Sequence, residues 1–401
     1  MPKLIVNLFF SLTILTVVGL IGQSCASIAP AAMSRTATWT ARPAETPTAT
    51  PAVVALMDSP AYGMQVFPWW KPDVADRDLG LVRDAGFGWV KVNFGWRDIE
   101  GAGKDHLDWT VPDRIVQQAQ AYGLNMVVRV DHQPVWASTA ENGPPQNYED
   151  YGDLMAALAG RYRGRIQAYQ VWNEPNLARE WGGQPPNAAQ YVALLEVAYR
   201  RIKAVDPQAI VISAGLAPTT RWDDLAVPDT VFLQQMYDAG AAAFFDVLGV
   251  HGAGYKAPPE IDPTVVAGDP ALNNGDPSPE ERRRVYCFRH IEDIRQVMVQ
   301  NGDAAKQVAV LEFGWTSDPR PDSPYHWHAV TEEEKADYLV RAYQYARYHW
   351  QPWIGLMSLI YLSDHHWTPD DEQYWWAITG PGWPLAELRP AYLRLKAMPK
   401  P

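Results

Sequence analysis

The sequence predicts an α/β fold, a single (β/α)8 TIM barrel with long loops after strands six and eight. Eight short apolar runs alternate with amphipathic stretches from residue 62 onward, a pattern typical of parallel strands joined by helices. A doubly wound sheet is the competing architecture, but it is expected to carry a Gly-rich turn after its first strand, and residues 62–71 contain none. The barrel is therefore the favoured fold.

The predicted elements follow in order along the chain. The strand candidates are residues 62–67, 88–94, 125–131, 166–172, 209–214, 245–251, 307–313 and 355–362. Three of the helices between them have recognisable starts: Pro112 suits a first helical turn, Asn187 is a good N-cap, and Thr331 with Glu334 forms a capping box. Residues 252–279 and 363–384 are too long for simple turns and would lie at the carboxyl end of the barrel, where barrel enzymes keep their sites.

The N-terminus has the pattern of an export signal. Lys3 precedes an apolar run over residues 4–21, and small residues follow it. We therefore expect a signal peptide over residues 1–29 and a secreted or extracytoplasmic protein. Cys25 occupies the place of a lipidated cysteine, although residues 22–24 match that motif poorly. An N-terminal membrane tether on the outer face thus stays open as an alternative.

Residues 30–60 are rich in Pro, Thr and Ala and contain few large apolar side chains. Such a segment cannot bury enough surface to fold and is typical of a linker. The folded barrel domain is then expected to span residues 61–401. Within it Cys287 is the only cysteine, so we expect no internal disulfide, and we expect a monomer.

Composition narrows the class of ligand. The formal net charge is −12, which offers no electrostatic footprint for nucleic acid and fits a neutral or cationic ligand. The chain also contains 18 Trp, whose flat apolar faces suit both core packing and stacking on sugar rings.

Two carboxyl side chains carry the chemical prediction. Residues 167–172 form a strand pattern that runs directly into Asn173 and Glu174, and Pro175 then ends it. Glu312 stands at the end of the strand pattern of residues 307–313, three strands later. Two Glu at the carboxyl ends of strands four and seven can face each other across one pocket. Glycoside hydrolysis needs two such carboxyls on either side of the scissile bond.

The run Trp-Asn-Glu-Pro-Asn at residues 172–176, with a second Glu on strand seven, resembles the retaining glycosidases of clan A. Residues 169–176 are most similar to family 39, which includes β-xylosidases, and next to the cellulase-like family 5. Residues 134–137 and 389–392 are also familiar from such enzymes. The resemblance implies that Glu174 is the acid/base, that Glu312 is the nucleophile of a covalent glycosyl-enzyme, and that Asn173 hydrogen-bonds the sugar 2-hydroxyl.

Several other residues are candidates for contact with a carbohydrate substrate. His251 and Tyr255 follow strand six, where the resemblance places a His and a Tyr near the nucleophile, and Tyr255 could orient Glu312. Asp131 and His132 close strand three and could contact hydroxyls, or form a structural ion pair. The Trp candidates for sugar stacking, with core packing as the alternative, are Trp96, Trp136, Trp367, Trp375 and Trp376.

Neither a metal nor a cofactor is expected. The stretch Asp364-His365-His366, with two His upstream, matches no closed zinc motif, and the two-carboxylate chemistry needs no metal. A carbohydrate-binding barrel without turnover and a transglycosidase with the same two Glu remain as alternatives. The sugar, its anomeric form and internal or terminal cutting are left open.

Overall fold

The computed structural model of the protein describes residues 51–400. The predicted signal peptide and most of the predicted linker lie outside the described residues and stay predictions, as does the domain boundary at residue 60. Among the helices that are described, none is long and apolar enough to cross a membrane.

Eight parallel strands form the predicted barrel. They are β1 (Ala61–Gln65), β2 (Trp89–Gly95), β3 (Asn125–Asp131), β4 (Ala168–Val171), β5 (Ile210–Ile212), β6 (Leu248–Ala253), β7 (Val308–Gly314) and β8 (Ile354–Leu359). Each strand from β1 to β4 pairs with the next along the chain, as do β6 with β7 and β7 with β8, and β1 pairs with β8. Between β5 and β6 a single parallel bridge, Ile212 to Val247, closes the ring. The (β/α)8 architecture is thus confirmed.

Helices cover the outside of the strands. They are α1 (Pro72–Asp84), α2 (Trp96–Glu100), α3 (Thr110–Ala121), α4 (Tyr148–Arg161), α5 (Ala188–Val205), α6 (Asp229–Asp238), α7 (Pro263–Gly268), α8 (Pro270–Asn273), α9 (Glu280–Arg283), α10 (His290–Gln300), α11 (Glu332–Tyr345), α12 (Glu372–Trp376) and α13 (Pro390–Ala397). The side chain of Asn187 accepts a hydrogen bond from the Gln190 N–H at 3.0 Å, and both halves of the Thr331–Glu334 capping box form. These predicted helix starts are confirmed.

The long loops after β6 and β8 contain short helices and strands. Helices α7, α8 and α9 belong to the connection between β6 and β7, and α12 and a small hairpin, β9 (Thr379–Gly380) with β10 (Glu387–Leu388), follow β8. Both connections are therefore partly structured.

The amino-terminal end of the barrel is filled with apolar side chains, among them Trp89, Val127 and Ala168. The segment just before β1 covers this end: Met57 is buried against these side chains, and Gln307 Oε1 accepts hydrogen bonds from two backbone N–H groups of the segment, at 2.8 and 3.0 Å. The last residues of the predicted linker therefore contact the barrel.

Side chains two residues further along the same strands point into the barrel above this apolar plug, because side chains alternate between the two faces of a strand. In β2 and β4 these positions hold Lys91 and Gln170, which are buried, and in β3 the position holds Arg129. A polar layer thus lies beneath the carboxyl end of the barrel, where the predicted site is located.

Candidate active site

The two predicted catalytic carboxyls lie at the carboxyl end of the barrel. Glu312 is within β7. Glu174 follows β4 by three residues, in the left-handed region with φ 40°, and its N–H donates to the carbonyl of Gly215 after β5 at 3.1 Å. A non-glycine residue held at positive φ is strained, and such strain is common at functional sites.

Glu312 is held by cations from the polar layer. Its Oε1 lies 2.7 Å from Lys91 Nζ and 3.4 Å from Arg129 Nη1. Burial raises the pKa of the Glu312 carboxyl, but the positive charges of Lys91, His251 and Arg129 outweigh burial and lower the pKa to about 2. Glu312 is therefore ionised at neutral pH, as a nucleophile must be.

Lys91 and Arg129 were not predicted as site residues. Burial lowers the pKa of Lys91, and the charge of Glu312 only partly offsets it, which leaves a pKa of about 8. The available sequence signal was a Lys in the middle of an otherwise apolar strand. A buried Lys needs a partner because its charge is costly to desolvate, and the barrel topology brings it to Glu312.

Glu174 has two basic partners. His251 Nδ1 donates to Oε1 at 2.9 Å, and Arg179 Nη2 donates to Oε2 at 3.1 Å. Burial raises the pKa of the Glu174 carboxyl, but the hydrogen bond and charge of His251 and the charge of Arg179 outweigh it, so the net pKa lies below the usual value. The acid/base role that the resemblance implies for Glu174 predicts a raised pKa for its carboxyl, and for the site without substrate this prediction is wrong.

His251 connects the two carboxylates. Its Nδ1 lies 2.9 Å from Glu174 Oε1 and 3.9 Å from Glu312 Oε2, so both carboxylates share one pocket.

A cavity of about 210 Å³ opens above the pair. Both Glu and His251 line it, together with Tyr325, Tyr361, Glu372 and Trp376. Glu372 Oε1 accepts from the Trp376 indole at 3.0 Å. Burial raises the pKa of Glu372, although hydrogen bonds from Tyr325 and Trp376 partly offset this. This third carboxyl was missed because α12 belongs to the loop after β8, whose path the sequence does not reveal.

The residues predicted around strands three and four are close to the pair but make contacts of their own. Asp131 is buried, pairs with Arg129 at 3.0 Å, and contacts His132 Nδ1 at 2.6 Å. Burial raises the pKa of Asp131, but the charges of Arg129 and His132 lower it well below its usual range. This is the structural ion pair that the sequence left open for Asp131 and His132. Asn173 is buried and its Oδ1 accepts from Gln170 at 3.4 Å.

Tyr255 lines the cavity as predicted from its place after β6. Its hydroxyl donates to the carbonyl of Pro218 at 3.5 Å, and its ring packs against Tyr286 and His328. The idea that Tyr255 orients Glu312 is thus corrected, because Lys91 and Arg129 make the contacts to that carboxylate.

Four of the five Trp candidates make packing contacts. Trp96 is fully buried and its indole donates to Glu100 at 2.6 Å, which leaves no face for a sugar and corrects that prediction to the packing alternative. Trp136 packs edge-on against Trp96. Trp367 lies behind the cavity wall against Tyr361, and the Trp375 indole donates to the Pro369 carbonyl at 2.9 Å. Its neighbour Trp376 is the Trp that lines the cavity.

The Asp364-His365-His366 stretch brings three ligand-type atoms within 4.8 Å of one another. The side chain of His366 is exposed, whereas that of His365 is only 8% exposed. The stretch is therefore only partly exposed to solvent.

Comparison with known proteins supports the fold and the resemblance. A β-xylosidase of Geobacillus stearothermophilus is 28% identical over 146 residues, 32% of this chain and 26% of its own length. A family 39 glycoside hydrolase of Bacteroides cellulosilyticus superposes with a TM-score of 0.60 at 18% identity, over 87% of this chain and 65% of that chain. A glucosidase of Croceicoccus marinus superposes with a TM-score of 0.56 at 14% identity, over 86% and 68%.

No family model matches the chain. The chain spans about a quarter of the length of the curated β-xylosidase, and structural identities this low establish the fold alone. The chain is thus similar in sequence to a β-xylosidase over 32% of its length, and similar in fold to glycoside hydrolases, one of which is of family 39.

Proposed function

We propose that the protein is a retaining glycoside hydrolase that cleaves O-glycosidic bonds in an oligosaccharide or polysaccharide. The proposal depends on one observation. Glu174, just after β4, and Glu312, in β7, both lie beside the imidazole of His251 at the carboxyl end of the barrel. The similarity to a β-xylosidase and a glucosidase supports the same class of reaction.

In this mechanism Glu312 attacks the anomeric carbon and forms an ester with the sugar, while Glu174 protonates the departing oxygen. Glu174, now a carboxylate, then takes a proton from water, whose oxygen attacks the anomeric carbon and releases Glu312. Lys91 and Arg129 keep Glu312 anionic before attack. Each displacement inverts the anomeric carbon, so the two together give net retention of configuration.

Glu174 must be protonated for the first step, although His251 and Arg179 lower its pKa in the free site. Burial is the largest influence on this carboxyl, and it acts in the raising direction. Displacement of the exposed Arg179 by substrate would therefore let the pKa of Glu174 rise toward the value that an acid needs.

The test is turnover by the full chain on nitrophenyl xylosides and glucosides of both anomers, with the first-formed sugar anomer recorded by NMR. Hydrolysis with a retained anomer supports the proposal, and an inverted anomer contradicts it. Added xylose or glucose as acceptor separates a transglycosidase, which would give mainly coupled products. Binding without turnover would identify a carbohydrate-binding barrel instead.

We also propose that the enzyme acts outside the cytoplasm, either free or tethered, because its N-terminus has the pattern of an export signal. The supporting observation is the apolar run at residues 4–21 after Lys3. Cell fractionation with sequencing of the mature N-terminus tests it, and a cytoplasmic protein that keeps Met1 would contradict it.

A further inference from the structure

The loop that carries Glu174 is bonded to the loop that follows β5. Leu177 and Ala226 form an antiparallel bridge, and the Ala178 N–H donates to the Leu225 carbonyl at 2.9 Å. The buried side chain of Asn176 donates to two carbonyls of the second loop and accepts from the Ala217 N–H, each at 2.9 Å. The two loops therefore form one surface at the rim of the cavity.

Residues 221–225 of the second loop are all exposed, and two of them have large apolar side chains. Trp222 is 59% exposed and Leu225 is 52% exposed, and the side chain of Arg179 is 60% exposed. We call these three residues the rim face. Because more than half of the Trp222 surface is in water, this side chain loses most of the stabilisation that burial would give it. Packing therefore does not account for its position.

Trp222 is nevertheless held in place by the loop after β6. The guanidinium of Arg282 lies 5.9 Å from its ring centroid, and Arg282 Nη1 donates to the Thr220 carbonyl at 2.7 Å. The Thr220 hydroxyl in turn donates to Asp276 at 2.6 Å. The Arg282 cation over the ring and the hydrogen-bonded backbone at Thr220 therefore hold Trp222 in place, while more than half of its surface stays open to solvent.

The rim face lies near the cavity, on the side of Glu174. Pro218 lines the cavity, and Trp222 is four residues later, which limits their separation to about 14 Å. Arg179 contacts Glu174 directly. Since a general acid protonates the leaving oxygen, the part of the substrate beyond the scissile bond must depart on the side of Glu174.

We propose that the rim face is a subsite for the leaving-group part of an oligosaccharide chain, with Trp222 as the platform on which a sugar ring stacks. The inference rests on the proposed hydrolytic function, and it names the substrate class as a chain longer than the sugar in the cavity. Leu225 extends the apolar surface, and Arg179 can donate to sugar hydroxyls when it leaves Glu174.

The experiment compares wild-type protein with Trp222→Ala on substrates with and without a chain. Xylosyl fluoride and glucosyl fluoride have a leaving group too small to reach the rim, whereas xylotriose and cellotriose place sugars across it. Tyr348→Ala is the matched control, because Tyr348 is 75% exposed and lies between α11 and β8, at the opposite end of the barrel. For Trp222→Ala we expect kcat/KM on the trisaccharide to fall about tenfold, mostly through KM, and kcat/KM on the fluoride to stay unchanged.

A direct binding measurement tests the subsite independently of turnover. Calorimetry with xylotriose and cellotriose in the Glu312→Gln background should give an affinity about tenfold weaker when Trp222 is also Ala and unchanged when Tyr348 is Ala. Equal losses on fluoride and trisaccharide, or no loss on either together with unchanged binding, would overturn the subsite. If the wild type hydrolyses none of the substrates while Trp222→Ala still weakens binding, the hydrolytic function fails and the subsite stands.

Discussion

Lys91 Nζ lies 2.7 Å from Glu312 Oε1, and this buried cation links the polar interior of the barrel to the proposed nucleophile. The pKa of Glu312, about 2, depends first on the charge of Lys91 among the groups that lower it. A Met at position 91 would preserve most of the side-chain volume and remove the charge.

For Lys91→Met we therefore expect the acid limb of the kcat/KM profile to move to higher pH. Glu312 must be deprotonated to attack, and its pKa rises when the opposing charge is lost. The pH profile on an aryl glycoside measures this shift. Lys335→Met is the control, because Lys335 is also buried with a pKa lowered by burial to about 8, yet its ion pair is with Glu332. An equal shift of the limb in both variants would show that the effect is not electrostatic control of Glu312.

Arg179 is expected to set the basic limb of the same profile. Its removal takes away a positive charge that lowers the pKa of Glu174, so that pKa rises in Arg179→Ala. An acid acts below its pKa, and the basic limb of kcat/KM should move to higher pH. Arg221→Ala, on the neighbouring loop and paired with Asp223, should leave the limb in place. A basic limb that moves down in Arg179→Ala would contradict the pairing with Glu174.

The positions of the two Glu could be predicted from the sequence, but the basic side chains that contact them could not. Strand patterns of period two and helix caps depend on local residues, so the barrel, its strand order and the position of both Glu at strand ends were predictable. The contacts of Lys91 with Glu312 and of Arg179 with Glu174 join residues 221 and five positions apart. Their distances depend on barrel closure and on a loop conformation at positive φ, which no local pattern specifies.

The Trp residues also show that residue type alone does not predict which side chains reach the site. Trp96 and Trp222 are equally suited to stacking by residue type, and only the tertiary structure buries the first and exposes the second. The raised pKa expected for Glu174 was wrong for a similar reason, since His251 lies in β6 and reaches Glu174 only through the tertiary structure.

Stability should depend on His290 over the range of neutral to alkaline pH. Burial alone would lower the pKa of His290, but the charge of Asp229 and hydrogen bonds to Asp229 and Asp293 outweigh it and raise the pKa to about 10. Because the folded pKa lies above the unfolded value of about 6.5, the stabilisation is complete below pH 6.5 and is lost as pH rises through about 10.

For His290→Gln we therefore expect a loss of unfolding free energy that is largest near pH 6 and shrinks toward pH 10. Chemical denaturation at several pH values measures it. His106→Gln, at an exposed position, should follow the wild type throughout. A deficit for His290→Gln that stays constant with pH would show that only packing was lost.

The roles of the two catalytic Glu give the sharpest prediction. Glu312 is the carboxylate with the more strongly lowered pKa and two cationic partners from the barrel interior, whereas Glu174 contacts His251 and the exposed Arg179. Glu312→Ala removes the nucleophile and should abolish turnover on every substrate. Glu174→Ala removes the proton donor, which matters least when the leaving group departs without a proton.

The Glu174→Ala variant should form the glycosyl-enzyme rapidly from a dinitrophenyl glycoside and then stall, because the base that activates water is missing. A burst of dinitrophenolate followed by a slow steady state measures this, and mass spectrometry should find the sugar on Glu312. Azide needs no base, so its addition should restore turnover and release a glycosyl azide of retained configuration. A burst in Glu312→Ala with an inert Glu174→Ala would mean that the two roles are reversed. Full activity in both variants would place the site away from the mouth of the barrel.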